Sequence, residues 1–557
     1  MFLKVVPTTC MEKNLLNREP YTSPLLNKQS ILKNETFAFQ VALKVDLYVS
    51  PMLSQEIITP KVVKGDGDIK VYEVKNIPSR LSRLNRIDGG YEDNGKGGLY
   101  PDCLNLLNDG DSVVVSSVYW NSIYVEFTPN ETTKIGNNEI TVEFYKEDKK
   151  VGETTVSVKV IDAELPELTI ANGQWFHCDA LSSHYGVEPL SEEHWEIIEN
   201  YIKFYKEYQY NMILTPIITP MIDTLKGGER ATVQLVDVIL DNGEYSFKFD
   251  KLKRWVDLCR KYGINKFEMP PLFSQHGAKF TPKVVATVDG EYKKLFFWDE
   301  IVPGGKYNQF LDKFLPALSE FIDKEGMEPY FHISDEPMVY QMDDYRIAHS
   351  MVYPHLSKYR FIEACSDNDF YKEGIMDIAI TAVEHVRDFY DIGCKDYFVY
   401  HCNGHYYEVP NRFLSMKQSR NRILGPLIYK FDITGFITWG FNFWFATKAA
   451  YPIDPYATAD CDGWFPGGDA FSVYPGKDKN GVPSIRLKVF LMALQDHRLC
   501  KLLESYIGKE EVVKILDENV KGPDGNGLEF YQYPFDNDYM IDLRMRLNAE
   551  LEKHINK

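Results

Sequence analysis

Eight short apolar runs, each followed by sequence of helical periodicity, constrain the fold of this chain more than any other feature. Amphipathic segments such as 193–208, 252–262 and 307–324 separate the runs. Strands that alternate with helices predict βα units around a parallel sheet, and eight such units predict an α/β fold of the TIM type, a (β/α)8 barrel. The predicted strands are 173–177, 211–215, 266–269, 329–333, 360–364, 377–380, 397–401 and 435–439.

The sequence on either side of the barrel predicts two accessory parts. Residues 1–166 alternate β-rich runs, such as 37–45 and 154–161, with turn-forming sequence, which predicts an N-terminal β-sandwich domain. Residues 167–483 form the predicted barrel domain. Helical patterns after that point predict that residues 484–557 are a C-terminal helical extension packed on the barrel.

Charge and cysteine usage exclude several classes of function. Lys and Arg number 62 against 81 Asp and Glu, and the resulting net charge of -19 argues against nucleic acid or an anionic membrane as a partner. The nine cysteines are odd in number and include no C-x-x-C pair, which argues against a disulfide framework or a zinc ribbon. No secretory signal and no apolar span of about 20 residues occurs, so we expect a cytoplasmic protein without membrane insertion.

The fourth predicted strand ends on two adjacent carboxylic acids, Asp335 and Glu336, followed by Pro337. Proline cannot donate a ladder hydrogen bond, so regular pairing should stop there, and consecutive side chains need not point to opposite faces. Two acids in different surroundings can divide labour, one remaining ionised while the other transfers a proton. Because barrel enzymes place their active sites at the carboxyl ends of the strands, this pair is the predicted catalytic centre.

The other strand ends are rich in aromatic and polar side chains. Indole and phenol rings pack on the C–H face of a sugar, while amides, imidazoles and carboxylates bind its hydroxyl groups, so the cluster predicts a carbohydrate ligand. The candidate substrate-binding residues are Trp175, His177, Asp179, His276, Tyr400, Asn403, Trp439 and Trp444.

The end of the seventh strand bears on the mechanism. Retaining glycosidases usually place a nucleophilic carboxylate about 5–5.5 Å from the acid, and common barrel enzymes carry it at this strand end. Here residues 400–405 contain no acid, and the first one, Glu408, comes later. Instead Asp335 directly precedes Glu336. This pattern favours the exception in which the substrate's own 2-acetamido oxygen attacks the anomeric carbon, with Asp335 orienting the amide and Glu336 protonating the leaving oxygen.

Several segments together carry a resemblance to a known family. They are Ser334-Asp-Glu-Pro, Leu99-Tyr-Pro-Asp-Cys-Leu, Pro483-Ser-Ile-Arg-Leu and the runs 34–40, 214–220, 435–444 and 474–476. In these segments the chain resembles glycoside hydrolase family 123, whose described members are β-N-acetylgalactosaminidases that act by substrate assistance through an adjacent Asp-Glu pair. One departure is Gln495-Asp-His-Arg, where related barrel proteins often have Glu-Asp-Tyr-Glu, and we interpret it as packing variation.

The resemblance implies an exo-acting hydrolase that removes terminal β-linked GalNAc from oligosaccharides or glycolipid-type glycans, without a metal or organic cofactor. It makes Asp335 the stabiliser of the acetamido group and Glu336 the general acid and then the base. Tyr400 becomes a candidate donor to the oxazoline oxygen. Trp439 and Trp444 become candidate walls of the acetamido pocket.

Three other readings of the residues remain open. Glu336 could work with a protein nucleophile, for which Glu408, Glu384 and Glu363 are candidates, in a retaining glycosidase of other specificity. The barrel could bind carbohydrate without catalysis. His401, Cys402 and His405 could form a metal site, although the surroundings are poor in acids and a fourth ligand is missing.

Overall fold

The barrel has the predicted number of strands, and all of them are parallel. The computed structural model describes residues 2–46, 54–84, 86–220, 224, 228–275, 277–297, 301, 305–520, 525 and 527–555. The eight strands are Ala171–Gln174, Met212–Leu214, Lys266–Glu268, Glu328–Phe331, Arg360–Ala364, Ile378–Ala382, Tyr397–Tyr400 and Gly435–Thr438. We call them barrel strands one to eight. Strand one pairs with strand eight, and the Asn211 N–H donates to the Asn172 carbonyl (3.0 Å) between strands one and two, which nearly closes the barrel.

Helices surround the barrel where the amphipathic segments predicted them. Two of them begin at side-chain caps: Ser191 accepts from the His194 N–H, and Ser484 accepts from the Leu487 N–H. The helices are Cys178–Tyr185, Glu192–Glu207, Asp250–Lys261, Lys306–Glu325, Met342–Leu356, Asp369–Lys372, Val386–Tyr390, Ser419–Arg422, Leu424–Lys430, Ile485–Ile507, Lys509–Asp517 and Asn537–Ile555. Among the described residues, none of these helices combines the length and the apolar character that crossing a bilayer requires.

Two five-stranded sheets, antiparallel apart from one short edge strand, form the N-terminal part and share one apolar core. In spatial order the first sheet contains Phe2–Thr9, Phe37–Asp46, Asn121–Thr128, Asp68–Ser79 and Gly98–Leu107. The second contains Ser30–Leu32, Lys149–Ile161, Gly136–Lys146, Gln55–Lys64 and Val113–Ser116. The architecture is therefore the predicted sandwich, barrel and C-terminal helices.

A buried ion pair fixes the sandwich to the C-terminal helices. The Arg486 guanidinium donates two hydrogen bonds of 2.9 Å to the Asp102 carboxylate, and the Tyr474 hydroxyl donates a third of 2.6 Å. Asp102 and Arg486 are both fully buried. Removing either partner would leave an uncompensated buried charge, so this contact strongly favours one relative placement of the two parts.

A four-stranded sheet interrupts the βα pattern and was not predicted. It consists of the hairpins Asp237–Asp241 with Glu244–Lys248 and Val284–Val288 with Glu291–Phe296. The hairpins follow barrel strands two and three, on the side of the barrel that carries the predicted site. Their turns contain residues of positive φ at Asn242-Gly243 and Asp289-Gly290, the sequence signal of two-residue hairpins.

Candidate active site

The Asp335–Glu336 pair lies just beyond the carboxyl end of barrel strand four, as the sequence predicted. Asp335 is buried and Glu336 is partly exposed. Glu336 adopts a left-handed backbone conformation with φ of 46°, which is unfavourable for a residue with a side chain. Strained conformations of this kind persist where the surrounding structure imposes them, often at functional sites. The local turn aims the Glu336 carboxyl group toward strand seven.

Glu336 lines a cleft of about 590 Å³ at the barrel mouth. The hydroxyl of Tyr400, the last residue of strand seven, donates a 2.7 Å hydrogen bond to Glu336 Oε1. The cleft is lined by Glu336, Pro337, Met338, Val339, Ala364, Cys365, Ser366, Asp367, Asn368, His385, Asp388 and Tyr400. Its volume lies in the range of small-molecule sites, so an acid is held at the wall of a space that can receive part of a substrate.

Asp335 occupies different surroundings from Glu336. Gln275 Nε2 donates a 2.9 Å hydrogen bond to Asp335 Oδ2. Burial, and then the neighbouring Glu336 carboxylate, raise the pKa of Asp335 to about 8. Two acids so placed share protons, and the adjacent pair therefore holds one proton at neutral pH.

A buried Glu–His–Glu network lies beneath the pair. His332 Nε2 is 2.9 Å from Glu268 Oε1, and His332 Nδ1 is 3.4 Å from Glu363 Oε1. Burial lowers the pKa of His332, but hydrogen bonds to the two carboxylates outweigh that effect and raise it to about 10. His332 is therefore a cation at neutral pH.

Glu363 connects this network to the loop that carries Asp335 and Glu336. Its Oε2 accepts hydrogen bonds from the backbone N–H groups of Ile333 (3.2 Å) and Ser334 (2.9 Å) and from the Tyr345 hydroxyl (3.0 Å). Ser334 immediately precedes Asp335, so the network fixes the backbone from which the two adjacent carboxyl groups project. Trp175 belongs to the same network, because its indole N–H donates to Glu268 Oε1 (2.7 Å).

We expect His332→Gln to lower the melting temperature by roughly 3–4 °C, because it leaves Glu268 and Glu363 buried without their cation, a loss of about 3–5 kcal/mol. Differential scanning calorimetry measures the change. The triple variant Glu268→Gln, His332→Gln, Glu363→Gln is the matched control, since it removes all three charges and should recover much of the loss. A triple variant no more stable than His332→Gln would contradict this account.

His177 and Asp179, predicted to contact substrate hydroxyls, are engaged with Arg230. Arg230 Nε donates to Asp179 Oδ2 (2.6 Å), and a terminal guanidinium nitrogen donates to Asp179 Oδ1 (2.9 Å) and lies 3.2 Å from His177 Nδ1. His177 Nε2 is 2.9 Å from the Trp439 carbonyl, so its proton lies on Nε2. Burial and the Arg230 cation lower the pKa of His177 to about 4. The arrangement joins the ends of strands one and eight.

The remaining predicted contacts differ in position. Trp439 is partly exposed and packs against Phe443 and Phe465, and Asn403 is partly exposed in the turn after strand seven. Burial raises the pKa of Asp469 to about 7, and Arg412, the Trp439 side chain and the Asn403 backbone oppose this shift. His276 lies outside the described residues.

Trp444 has no ring face open to a sugar in this structure, contrary to its predicted role in the acetamido pocket. It is 1% exposed, donates its indole N–H to the Val473 carbonyl (3.0 Å) and packs against Tyr201 and His184. Apolar packing under the mouth accounts for its position.

The possible metal site on strand seven is not formed as such. His405 Nδ1 accepts a 3.0 Å hydrogen bond from the Cys402 N–H, and its ring packs edge-on to Tyr400. Across the described ranges, no group of three or more His, Cys, Asp or Glu side chains is arranged to hold a metal ion.

Three charged residues of this region, Arg230, Glu268 and His332, were missed in the sequence. Glu268 and His332 each stand between two apolar residues in a predicted strand, and a charged group there needs a partner, which is a signal that could have identified them. Arg230 has no comparable signal, because it reaches the site from a long connection after strand two.

A (β/α)8 barrel with an acid pair beyond strand four, a polar cleft beside it and an aromatic mouth defines the chain as a barrel glycoside hydrolase. The profile described as "Glycoside hydrolase 123, catalytic domain" matches residues 175–503, which is more than half of the chain. The chain belongs to glycoside hydrolase family 123. The match extends beyond residue 483 into the helix Ile485–Ile507. The domain boundaries predicted after residues 166 and 483 stay a prediction.

A solved structure of the same family has this fold. A family 123 glycoside hydrolase from Clostridium perfringens, described in terms of glycolipid glycan hydrolysis, is 13% identical and superposes with a TM-score of 0.72 over 99% of this chain and 98% of that one. A family 39 glycoside hydrolase from Bacteroides cellulosilyticus is 9% identical and covers 80% of this chain and 83% of its own, with a TM-score of 0.33. No curated protein matches the sequence.

Proposed function

We propose that the protein is an exo-acting β-N-acetylgalactosaminidase that uses the 2-acetamido group of its substrate as the nucleophile. The observation that carries this proposal is that the two adjacent acids, Asp335 and Glu336, have different surroundings. Glu336 lies at the wall of the open cleft, where a leaving group can accept its proton, and Asp335 is buried beside it and held by Gln275. A fixed carboxylate beside the acid suits the positioning of an amide and the stabilisation of a developing positive charge.

The reaction proceeds in two steps on this geometry. In the first, the acetamido oxygen forms a bond to the anomeric carbon while the glycosidic bond breaks and Glu336 transfers its proton to the leaving oxygen. The one proton that the pair shares lies on Glu336 when the amide is bound, so Asp335 is anionic, accepts the amide N–H and stabilises the oxazolinium ion. In the second, Glu336 removes a proton from water as the water attacks the anomeric carbon, and the oxazoline ring opens with net retention.

One of the candidate protein nucleophiles, Glu363, is engaged with the backbone of the loop that carries the acid pair, which supports substrate assistance. Glu363 is fully buried and accepts hydrogen bonds from the Ile333 and Ser334 N–H groups. Glu384 Oε2 lies 3.5 Å from His405 Nε2. Glu408 has a backbone N–H bonded to Asp88 (2.6 Å), and it comes eight residues beyond the end of strand seven at Tyr400.

The preference for GalNAc and for glycan leaving groups rests on the family and on the cleft. The Clostridium perfringens relative is described as acting on glycolipid glycans, and we extend that substrate class to this chain. The lining of the cleft also carries Ser366, Asp367, Asn368 and Asp388, side chains that can bind the hydroxyl groups of a leaving sugar.

Hydrolysis of p-nitrophenyl β-GalNAc, β-GlcNAc and β-galactoside, with and without a thiazoline analogue of the intermediate, tests the proposal. We expect the GalNAc substrate to be cleaved and thiazoline to inhibit. Cleavage of the β-galactoside that is insensitive to thiazoline would instead establish a retaining enzyme with a protein nucleophile. In that case Glu384 and Glu408 would be the first residues to replace.

We expect kcat/KM for phenyl β-GalNAc to fall above about pH 8, the pKa to which burial and Glu336 raise Asp335. Below that pH the pair holds the proton that the leaving group needs, and above it the proton is lost. A pH–rate profile measures this limb. A rate that rises through pH 8 would show that the doubly ionised pair is the active form.

A further inference from the structure

A second cleft of about 280 Å³ opens at the opposite end of the barrel from Glu336. It lies at the amino ends of strands one, seven and eight, between the helices Leu424–Lys430 and Ile485–Ile507. We call it the basal cleft. It is lined by Thr169, Ile170, Lys395, Ile428, Tyr429, Asp432, Ile433, Thr434, His497 and Lys501.

His497, which lines the basal cleft, is buried with its ring nitrogens unpartnered in the described part of the chain, and this favours a bound ligand. His497 belongs to the helix Ile485–Ile507. The side chain is 2% exposed, and within the described part of the chain neither ring nitrogen has a hydrogen-bond partner. Leaving a buried polar group unsatisfied is costly, so a ligand that bonds to the imidazole would remove a penalty already present in the fold.

The charges around His497 favour an anion. Burial, and then the cations Lys501 and Arg498, lower the pKa of His497 to about 4, so the neutral ring offers one N–H donor. Arg498 donates to the Pro166 and Leu165 carbonyls, and Lys501 donates to Glu504 (3.0 Å).

Asp432, the acid that lines the basal cleft, is paired with a lysine. Lys395, which also lines the cleft, has no acid paired with it in the described ranges. Asp432 forms an ion pair with Lys509. Lys395 is exposed at the rim, and within the described ranges it forms no ion pair with an acid. A cation is a poor occupant of this site, because no cluster of three or more His, Cys, Asp or Glu groups is found in the described ranges. A small anion gains both the Lys395 charge and the His497 hydrogen bond.

We propose that the basal cleft binds a small oxyanion of the phosphate or carboxylate class, with Lys395 supplying the charge at the rim and His497 donating a hydrogen bond from the wall. The volume is just below the range of sites for drug-sized ligands, which suits a phosphate group or a small carboxylate. This site is remote from Glu336, so the anion-binding proposal can be tested independently of the proposed glycosidase specificity.

Titration of the full-length protein with inorganic phosphate, and separately with acetate, tests the proposal. Sodium chloride keeps the ionic strength constant, and the His497 ring resonance, identified by its loss in His497→Gln, reports binding in a histidine-labelled sample. We expect a saturable shift with at least one of the two anions. Saturation by phosphate alone assigns the phosphate class, and saturation by acetate alone assigns the carboxylate class.

Variants decide whether the basal cleft is the site. We expect Lys395→Gln to weaken binding by roughly tenfold or more, the effect of losing a charged hydrogen-bond partner. Lys149→Gln, on an exposed strand of the sandwich, is the matched control and should bind as the wild type does. Isothermal titration of His497→Gln should detect no binding, and hydrolysis of a chromogenic glycoside by each variant verifies folding. A shift that never saturates, or equal binding by wild type, Lys395→Gln and His497→Gln, would overturn the proposal and leave a hydrated cleft.

Discussion

Glu336→Gln should reduce kcat/KM for a GalNAc disaccharide by about 10²–10⁴, the usual contribution of general acid catalysis. The amide keeps the size of the side chain and can still accept the Tyr400 hydrogen bond that Glu336 Oε1 accepts at 2.7 Å. It cannot supply a proton to the leaving oxygen. A p-nitrophenyl leaving group needs little protonation, so the loss on p-nitrophenyl β-GalNAc should be distinctly smaller.

The comparison between the two substrates is the measurement that matters for Glu336. Glu328→Gln is the matched control, because Glu328 begins the same strand and its side chain is 52% exposed. This variant should retain wild-type rates on both substrates. An equal loss of kcat/KM on the disaccharide and on the p-nitrophenyl substrate would argue that Glu336 acts in some other way than as the acid.

Much of the barrel is predictable because buried parallel strands read as short apolar runs between amphipathic helices. All eight predicted strands overlap the observed ones, and strand five, Arg360–Ala364, agrees at both ends. The inserted hairpins were missed although Asn242-Gly243 and Asp289-Gly290 are sequence signals of hairpin turns. The interpretation as repeated βα units assigned no strand to these residues.

Contacts between segments that are distant in the chain could not be predicted from this one sequence. The segments Leu99-Tyr-Pro-Asp-Cys-Leu and Pro483-Ser-Ile-Arg-Leu both carried the family resemblance, yet only the structure shows that Asp102 and Arg486 form one buried ion pair. In the same way, the position of Asp335 and Glu336 after strand four follows from the sequence. Their support by His332 and Glu363 depends on which side chains strands three, four and five turn inward.

Aromatic residues show a further limit of sequence reasoning. Trp439 and Trp444 are five residues apart in one aromatic segment, and nothing in their spacing distinguishes them. In the structure Trp439 is partly exposed, whereas Trp444 is buried and donates a hydrogen bond to the Val473 carbonyl. Which indole can meet a sugar is decided by the packing of the neighbouring helices.

Asp335→Asn should reduce kcat/KM for every 2-acetamido substrate by about 10²–10³, the effect of removing one group that stabilises charge in a transition state. Unlike Glu336→Gln, this loss should be the same for disaccharide and p-nitrophenyl substrates, because in the proposed mechanism Asp335 acts on the acetamido group rather than on the leaving group. Steady-state kinetics on both substrates measure it. Near-normal rates would remove Asp335 from the mechanism.

The same substitution should stabilise the protein at alkaline pH. Burial raises the pKa of Asp335 from its ordinary 3.8 to about 8, so the folded state holds this proton more tightly than the unfolded state. The resulting stabilisation is fully present below pH 3.8 and is lost as the pH rises through about 8, where the buried group must ionise. Asparagine does not ionise, and we expect the melting temperature of the variant at pH 9 to exceed that of the wild type by roughly 1 °C, the shift that about 1 kcal/mol produces in a chain of this length.

Asp343→Asn is the matched control for both effects of Asp335→Asn. Asp343 lies eight residues further along, its side chain is 92% exposed and it forms an ion pair with Arg346. Its replacement should change neither the rate nor the melting temperature at pH 9, because exposed ion pairs contribute little. A lower melting temperature for Asp335→Asn at pH 9 would mean that the ionised carboxylate stabilises the fold. A gain in stability together with a loss of rate would show that the enzyme keeps a destabilising acid because its reaction needs one.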